Sequence, residues 1–447
     1  MSIEASPPAP AEAAYPGFRR SWWAMLLLFL AANLYSIDKA IVGVLAEPIR
    51  GDLGLSDVQM SLLLGLAYTL LSAICGLWLG SLVDRHTRSR VLAGAIIIWS
   101  LSTAIGGLAR DFETFFVFRA LVGLGEAAVA PAAMSLIADM FAPSQRGRAL
   151  SAYLIGATMG TALSSVVPGM ILRADLHLQL PGYGIVVPWR SAFLICGLCG
   201  PVIGLLFLTV KEPARRGLAV TAESAANVGN KLRFLWRSRQ VFGPMLAGFC
   251  MFYVAFIGLT AWLSAFLSRR FDMPLQDFAN GLGLAMMVSG FAGYIAGGFA
   301  ADSRLARGPG GRLTLMLLLP LVALPAAFAD FAPNVTVALI AIATITFATP
   351  ILNVSMNATV QDLVPNDMRG FSYALVAVTS ALPAGIGGPL VIAFVTEHVL
   401  LDHDAIGRSI LFVCLPALLA SSLLFAVARR AAVRGHTTAA PHAFQTN

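Results

Sequence analysis

Four ionisable side chains lie inside stretches of this chain that are otherwise apolar. Asp38 and Lys39 follow the run "WWAMLLLFLAA" at 22–32, and Arg119 and Glu126 lie within the apolar stretch 113–140. Arg119 and Glu126 are seven residues apart, which is two helical turns, so we expect them on one face of a helix. A charge at the centre of a bilayer costs roughly 2.5–3.5 kcal/mol on insertion scales, and such groups mark functional sites by default. These residues are therefore the first candidates for chemistry.

The chemistry that these residue types favour is reversible proton binding beside a water-filled cavity. Burial disfavours the charged form of a carboxylate and a nearby cation favours it, so a cation that moves between partners couples proton binding to conformation. We expect Asp38 to be the main proton carrier, Glu126 its partner and Arg119 the counter-ion that they share. The alternative is a buried ion network that fixes helix register, although such networks are seldom stabilising compared with apolar packing.

The apolar stretches contain few polar groups, which fits an amphiphilic substrate better than a sugar. Polar and aromatic candidates for its pocket are Tyr35, Tyr68, Tyr153, Phe252, Tyr253, Trp262, Asn353 and Asn357. We prefer Tyr35 and Asn353 as substrate-binding residues, because each lies in the middle of a stretch whose helix is expected to line the cavity.

The elements that must position these residues are membrane-spanning helices. Of the 447 residues, 58% are hydrophobic and only 12% are charged, whereas a soluble surface needs about 25–35% charged residues. A spanning helix needs about 20 apolar residues. Breaks at charges, Pro and Gly divide the chain into twelve runs: 22–46, 58–82, 89–109, 113–140, 147–172, 190–210, 242–268, 277–301, 313–330, 335–361, 369–396 and 406–428. The prediction is an all-α membrane protein with twelve transmembrane helices, numbered below as spans 1–12.

The distribution of Lys and Arg predicts the orientation. With a cytoplasmic N-terminus, 21 of the 30 basic residues fall in the cytoplasmic tails and loops. The opposite side holds seven, namely Arg50, Arg110, Arg173, Arg190, Arg269, Arg270 and Arg408. This is the positive-inside pattern, so we expect a bacterial inner-membrane protein with both termini in the cytoplasm. The net charge of +7 therefore reflects orientation, and we expect no nucleic-acid partner.

Corresponding motifs indicate an internal duplication. Gly80-x-x-x-Asp84, between spans 2 and 3, has a counterpart in Gly298-x-x-x-Asp302, and matching landmarks are offset by 218 to 222 residues. Such a repeat suggests two six-helix halves related by an axis along the membrane normal.

The duplication predicts five segments along the chain. They are a disordered cytoplasmic tail at 1–20, an N-terminal half at 21–210, a cytoplasmic linker at 211–241, a C-terminal half at 242–430 and a cytoplasmic tail at 431–447. The linker either carries a short amphipathic helix, "KLRFLWRSR", on anionic lipid or is a plain solvated tether.

Several motifs resemble those of the major facilitator superfamily. They are Gly80-x-x-x-Asp84-Arg85-x-x-Arg88-x-Arg90, "RALVGLGEAAVAPA" in span 4, "WRSAF" at 189–193 and "KEP" at 211–213. Within the superfamily the chain is most similar to the spinster-like branch. That similarity is carried by Tyr35-x-x-Asp38-Lys39, "LGLSDVQMSLLLGLAYTL" at 53–70, "GEAAVAPAAMSLIADMF" at 125–141 and "AWLSAFLSRRF" at 261–271.

The resemblance implies a secondary transporter that works by alternating access. The resemblance supports the assignment of proton coupling to Asp38 on span 1 and to Arg119 and Glu126 on span 4. It further implies a cytoplasmic gate that latches the halves when the outside is open. The gate residues are Gly80, Asp84, Arg85, Arg88 and Asp139, echoed more weakly by Asp302, Arg304 and Asp362.

The resemblance also implies a substrate class. Eukaryotic spinster-like proteins export sphingosine 1-phosphate and lysophospholipids, so an amphiphile with an anionic head is expected, and Lys39 and Arg119 could meet that head. Spinster proteins usually carry Arg where this chain has Lys39. Lysine keeps the charge but loses the bidentate fork of a guanidinium.

Other functions stay open at this point. A small organic anion symporter and a multidrug antiporter are alternatives within transport, and a passive facilitator or channel is a further class. We do not expect an enzyme, a cofactor or a metal site. For the external loop with His398 and His403 beside Asp402 and Asp404, a solvated loop is favoured over a metal site. We expect a monomer whose partners are its substrate, protons and membrane lipids.

Overall fold

The computed structural model describes residues 15–215, 233, 236, 238–301, 303–307, 310–364 and 369–439. Among these residues it contains twelve helices that are long and apolar enough to cross a membrane. The predicted all-α fold with twelve spans is therefore confirmed, and spans 1–6 and 7–12 form its two halves.

The first half consists of spans 1–6 and one small β-hairpin. Span 1 is Phe18–Val44, followed by a short helix Ala46–Leu53; span 2 is Asp57–Ser61, a π-helical turn Leu62–Ala67 and Tyr68–Arg85; span 3 is Arg88–Gly106; span 4 is Phe112–Glu126 and Val129–Met140; span 5 is Pro143–Arg173; span 6 is Pro188–Phe207. Between spans 5 and 6, strand β1 (Leu178–Leu180) pairs antiparallel with β2 (Gly184–Val186).

The second half consists of spans 7–12. Span 7 is Arg239–Phe271; span 8 is Leu275–Ala301, followed by Arg304–Arg307; span 9 is Arg312–Val322, Leu324–Ala327 and a 3₁₀ turn Ala329–Phe331; span 10 is Val335–Leu363; span 11 is Arg369–Phe394 and a π-helical turn Val395–Val399; span 12 is Ile406–Ala439, after a 3₁₀ turn His403–Ala405. We call the end of the bundle that carries the β-hairpin the hairpin end, and the opposite end, where the first and last spans begin and finish, the terminal end.

Span 4 covers the run expected at 113–140, but its helical hydrogen bonding is interrupted in the middle. Helix Phe112–Glu126 ends at the candidate acid, and the next helix starts at Val129. Pro131 explains the break, because proline has no N–H to donate to the carbonyl four residues earlier and its ring crowds that carbonyl. Glu126 therefore lies at a helix end in the middle of a span.

Side-chain caps fix where spans 2 and 4 begin at the hairpin end. In span 2 the Gln59 N–H donates to Ser56 Oγ at 3.1 Å, and the Ser56 N–H donates to Gln59 Oε1 at 3.0 Å. In span 4 the Thr114 N–H donates to Asp111 Oδ1 at 2.7 Å, and this bond holds the pKa of Asp111 below its usual range. Such caps satisfy N–H groups that the first turn of a helix leaves unpaired.

The two halves meet along spans 1 and 7, spans 2 and 11, and spans 5 and 8. Glycines allow two of these close approaches. A Cβ atom on Gly43 would lie 2.9 Å from the carbonyl oxygen of Ala261, and one on Gly65 would lie 2.4 Å from that of Gly385. Both distances are too short for a real carbon atom, so only glycine fits without a shift of a helix.

The predicted segment boundaries are only partly visible. Residues 1–14 of the expected tail at 1–20 lie outside the described residues, and span 1 already begins at Phe18. Most of the expected linker helix at 231–239 also lies outside them, and span 7 begins at Arg239. The division into five segments stays a prediction.

Candidate functional site

Asp38 is fully buried, whereas the next residue, Lys39, is exposed. Successive residues of a helix point about 100° apart, so the two side chains leave span 1 in different directions. Asp38 faces Trp99 and Thr103 of span 3, and Cys196 of span 6 lies nearby. Neither of its carboxylate oxygens reaches hydrogen-bond geometry with a described group. Asp38 is therefore enclosed between span 1 and its neighbours in the first half, whereas Lys39 lies on the exposed side of span 1.

Arg119 lies between the two buried acids. Arg119 is 2% exposed and Glu126 is 3% exposed. The Arg119 Nη1 donates to the main-chain oxygen of Asp38 at 3.3 Å, and its charge interacts with both carboxylates. Among the described residues, however, Arg119 forms no ion pair within 4.0 Å, and both Glu126 oxygens lack a hydrogen-bond partner. The expected shared counter-ion thus sits near both acids and pairs directly with neither.

Lys39 belongs to a cluster of aromatic rings and cations. Its Nζ lies 5.9 Å from the ring centres of both Tyr35 and Tyr68, and the Arg119 guanidinium lies 5.8 Å from that of Tyr68. The Tyr68 hydroxyl donates to the Tyr35 hydroxyl at 3.3 Å. Tyr35 and Lys39 are one turn apart on span 1, which places them on the same face. Two cations and two phenols are therefore gathered where spans 1, 2 and 4 meet.

A hydrogen-bonded pair in the second half, Tyr253 and Asn353, lies at about the same depth in the bundle as the Lys39 cluster. The Tyr253 hydroxyl of span 7 donates to Asn353 Oδ1 of span 10 at 2.9 Å, and the Asn353 Nδ2 donates to the Thr349 carbonyl at 3.1 Å. Gly43 of span 1 closely approaches Ala261 of span 7. Tyr35 lies eight residues before Gly43, and Tyr253 lies eight residues before Ala261. Because spans 1 and 7 run in the same direction, the two tyrosines stand level with each other. The predicted residues Tyr35 and Asn353 therefore belong to opposite halves at mid-depth.

Two of the residues predicted to form a cytoplasmic gate, Arg88 and Asp139, meet at the terminal end. Arg88 of span 3, 1% exposed, pairs with Asp139 of span 4 and donates through Nε to Glu212 Oε1 at 2.7 Å. It also donates to Ser135 Oγ at 2.7 Å. Arg85 is exposed, while the side chain of Asp84 and the surroundings of Gly80 lie outside the description.

The weaker echo of the gate in the second half differs from the prediction. Asp362 pairs with Arg312, a residue that the sequence analysis did not name, and Asp302 lies outside the described residues.

Comparison with known proteins decides the family. The family model described as Major Facilitator Superfamily matches residues 28–388. The chain belongs to the major facilitator superfamily. Its relatives are named transporters, as the prediction of a non-enzymatic transporter requires.

Curated relatives of this superfamily member have different names. An MFS-type efflux pump of Mycolicibacterium smegmatis is 28% identical over 88% of this chain and 89% of its own length. A probable L-galactonate transporter of Escherichia coli is 28% identical over 62% of this chain and 61% of its own length. Protein spinster of Drosophila melanogaster is 27% identical over 65% of this chain and 47% of its own length.

A solved structure supports the spinster-like resemblance at the level of the fold. It is a bacterial homologue of the human lysosomal transporter spinster, described as inward-facing and unoccupied. The two chains superpose with a TM-score of 0.77 at 22% identity, covering 95% of this chain and 98% of the other. The major facilitator fold is therefore confirmed across nearly the whole chain.

The structure adds residues to the site of this superfamily member that the sequence analysis did not place there. Trp99 and Thr103 face Asp38. Their spacing of four residues places them on one face of span 3, and this was the only sequence signal that they act together. Glu212 joins the gate through Arg88, and its "KEP" motif had been noted without a role. Tyr68 was only one of many pocket candidates, because nothing in the sequence shows that its ring contacts both Lys39 and Arg119.

A glycine of span 4 positions the cluster and yields a first prediction. A Cβ on Gly123 would lie 2.0 Å from the main-chain oxygen of Tyr68, so Gly123→Ala must push span 4 away from span 2. We expect a loss of about 1–3 kcal/mol of stability and slower transport, measured by thermal melting and uptake. Gly94→Ala in span 3 is the matched control, since its Cβ would meet nothing within 4 Å. Equal behaviour of the two variants would contradict the close packing of spans 2 and 4.

Proposed function

We propose that the chain is a proton-coupled secondary transporter for an amphiphilic substrate with an anionic head, such as a lysolipid or sphingolipid-like molecule. It works by alternating access of the two halves. Its membership of the major facilitator superfamily supports the class of activity. The excess of Lys and Arg in the tails and in the loops that follow even-numbered spans supports a bacterial inner membrane with both termini in the cytoplasm. In that orientation the hairpin end faces outwards.

The observation that supports proton coupling is the pair of buried carboxylates, Asp38 and Glu126, whose oxygens have no hydrogen-bond partner among the described residues. A buried charge without partners is costly, and binding a proton removes the charge. Arg119 lies near both acids without pairing with either, so a movement of its guanidinium towards one acid would favour the charged form of that acid. Proton binding and the relative position of spans 1 and 4 are linked in this way.

The arrangement around Lys39 supports a substrate with an anionic head. Lys39 is the exposed charge at mid-span, and Tyr35 and Tyr68 flank it with hydroxyl groups. A carboxylate or phosphate held there would gain a charge-assisted hydrogen bond. Asn353 and Tyr253 offer polar groups from the second half, so a molecule that touches both sides would favour their approach.

Uptake into liposomes with an imposed pH gradient tests this proposal. Purified protein would be reconstituted and challenged with lysolipids, sugar acids and cationic dyes, each with and without a proton uncoupler. We expect a lysolipid to move against its own gradient and the uncoupler to abolish that movement. Transport that ignores the pH gradient would reject proton coupling and favour a passive facilitator.

A symporter of small organic anions is the second candidate. It is supported by the similarity to the probable L-galactonate transporter and by the same two cations, Lys39 and Arg119. The substrate panel separates the two functions, since gradient-driven uptake of a sugar acid and not of a lysolipid would favour this candidate.

Lys39→Gln provides a prediction for either substrate. Removing the cation should weaken binding of an anionic substrate by roughly 10- to 150-fold, because a hydrogen bond to a charged group contributes about 1.5–3 kcal/mol. The measurement is the substrate concentration at half-maximal uptake. Lys39→Arg is the matched control and should retain affinity, since it keeps the charge. Unchanged affinity in Lys39→Gln would remove Lys39 from the substrate site.

A further inference from the structure

A second group of charges joins the two halves at the hairpin end. Arg269 of span 7 donates to Asp57 through Nη1 at 3.1 Å and through Nη2 at 2.7 Å, and its Nε donates to Glu47 at 2.8 Å. Asp57 and Glu47 belong to the first half and Arg269 to the second. Asp57 is fully buried and the Arg269 side chain is 5% exposed. This is a bidentate, charge-assisted contact, which is the strongest kind of ion pair.

His403, in the 3₁₀ turn before span 12, contacts the same carboxylate from the second half. Its Nδ1 lies 3.0 Å from Asp57 Oδ2, and its main-chain oxygen accepts a hydrogen bond from Arg269 Nη1 at 2.8 Å. The imidazole is 56% exposed, so protons from solvent reach it directly. Histidine is the side chain that ordinarily changes charge between pH 5 and 8. His403 therefore contacts both solvent and a carboxylate of the first half.

Two further hydrogen bonds close the same end of the molecule. The Ser264 hydroxyl of span 7 donates to the main-chain oxygen of Val44 at 2.8 Å, and the Val58 N–H donates to Glu397 Oε2 of span 11 at 3.0 Å. Each bond joins the first half to the second. All of these contacts would break if spans 1 and 2 moved away from spans 7 and 11 at the hairpin end.

The charged groups gathered around Asp57 and His403 include more acids than fixed cations. The acids in this cluster are Glu47, Asp57 and Glu397, and the cations are Arg50, whose Nε is 3.9 Å from Asp57 Oδ1, and Arg269. Asp402 and Asp404 flank His403 on its own turn. Acids therefore outnumber the fixed cations, and a proton on His403 reduces the imbalance.

We propose that Asp57, Arg269 and His403 form a proton-sensitive lock between the two halves at the hairpin end. A charged His403 strengthens the closed arrangement, and loss of its proton favours opening. The lock rests on the alternating access stated under the proposed function. It does not depend on which acid carries the coupled proton or on the identity of the substrate.

The test measures the opening of the hairpin end without any substrate. Spin labels would be placed at Ile185 and Phe331, which are 71% and 67% exposed and lie in opposite halves, after replacement of the five native cysteines. Distances from double electron–electron resonance in lipid nanodiscs would be compared at pH 5.5 and pH 8. We expect the ratio of the short-distance to the long-distance population to rise about three-fold on acidification, since a partly exposed ion pair is a small effect.

Variants of the lock residues give opposite signatures. His403→Gln should leave the population ratio independent of pH, whereas Asp57→Asn and Arg269→Gln should shift it towards the long distance at both pH values. The matched control is His398→Gln, because His398 is exposed in the π-helical turn that ends span 11 and stacks on Phe394 at 4.9 Å. It should retain the full pH response.

Two results would overturn the lock. A pH response that persists in His403→Gln would show that another group senses the proton, and an unchanged ratio in Asp57→Asn would show that the ion pair does not hold the halves together. Failure of the proposed function would be measured in a different experiment, as the absence of pH-driven uptake into liposomes that contain the wild-type protein. A protein that transports nothing in the panel could still show the pH-dependent distance change.

Discussion

Asp38→Asn should lose pH-gradient-driven accumulation of substrate and keep substrate exchange across a membrane without a gradient. Asparagine has the shape of aspartate but cannot take up a proton at this position, so the halves can still rock while proton movement no longer drives them. We expect accumulation in liposomes to fall on the order of 10-fold or more, the range of a typical coupling between two sites. Exchange should be followed in the same liposomes with labelled substrate on one side.

The control for this substitution is Asp175→Asn, which makes the same chemical change at an exposed position. Asp175 has φ 48°, a left-handed conformation that asparagine adopts readily. Substrate accumulation by the Asp175→Asn variant should match that of the wild-type protein. Normal accumulation in Asp38→Asn would remove Asp38 as the proton carrier, and Glu126→Gln would then be the variant that decides whether span 4 carries the proton.

Arg88→Met should cause the largest loss of stability. Arg88 is buried between Asp139 and Glu212, and its removal leaves the Asp139 carboxylate, 5% exposed, without its cation. Breaking a buried pair by removing one partner costs about 3–5 kcal/mol. The expected result is a lower melting temperature in detergent and a smaller folded yield.

A double variant separates the loss of a charge partner from the loss of packing. Arg88→Met combined with Asp139→Leu should recover much of the stability, since an apolar pair of similar volume often replaces a buried ion pair without cost. Arg90→Ala, two residues further along the same helix and exposed, should change little. A double variant that is no more stable than Arg88→Met would show that the ion pair is not what holds spans 3 and 4 together.

The sequence predicts the spans well because a bilayer imposes a simple requirement. Each span is a run of about 20 apolar residues, and such runs are visible without any knowledge of their neighbours. The break in span 4 was less visible, although Pro131 offered a signal for it. The four mid-span charges were equally evident, since each interrupts an apolar run.

The direction in which those charges point was not predictable. Asp38 and Lys39 are adjacent in sequence, but the packing of span 1 against span 6, with Trp99 and Thr103 of span 3 nearby, decides that the first is enclosed and the second open. The lock was hidden for another reason. Asp57 is separated in sequence from Arg269 by 212 residues and from His403 by 346. Only the assembled halves bring these side chains together, and no local pattern marks them as partners.

The interruption of span 4 makes its second segment a lever. Val129–Met140 begins just after Glu126 and carries Asp139 close to its other end. Asp139 is about 15 Å from the pivot at 1.5 Å per residue. A tilt of about 10° at the pivot would therefore displace Asp139 by about 3 Å, which is enough to separate it from Arg88. Under the proposed transport cycle, a change of charge at Glu126 would thus separate Asp139 from Arg88 at the terminal end.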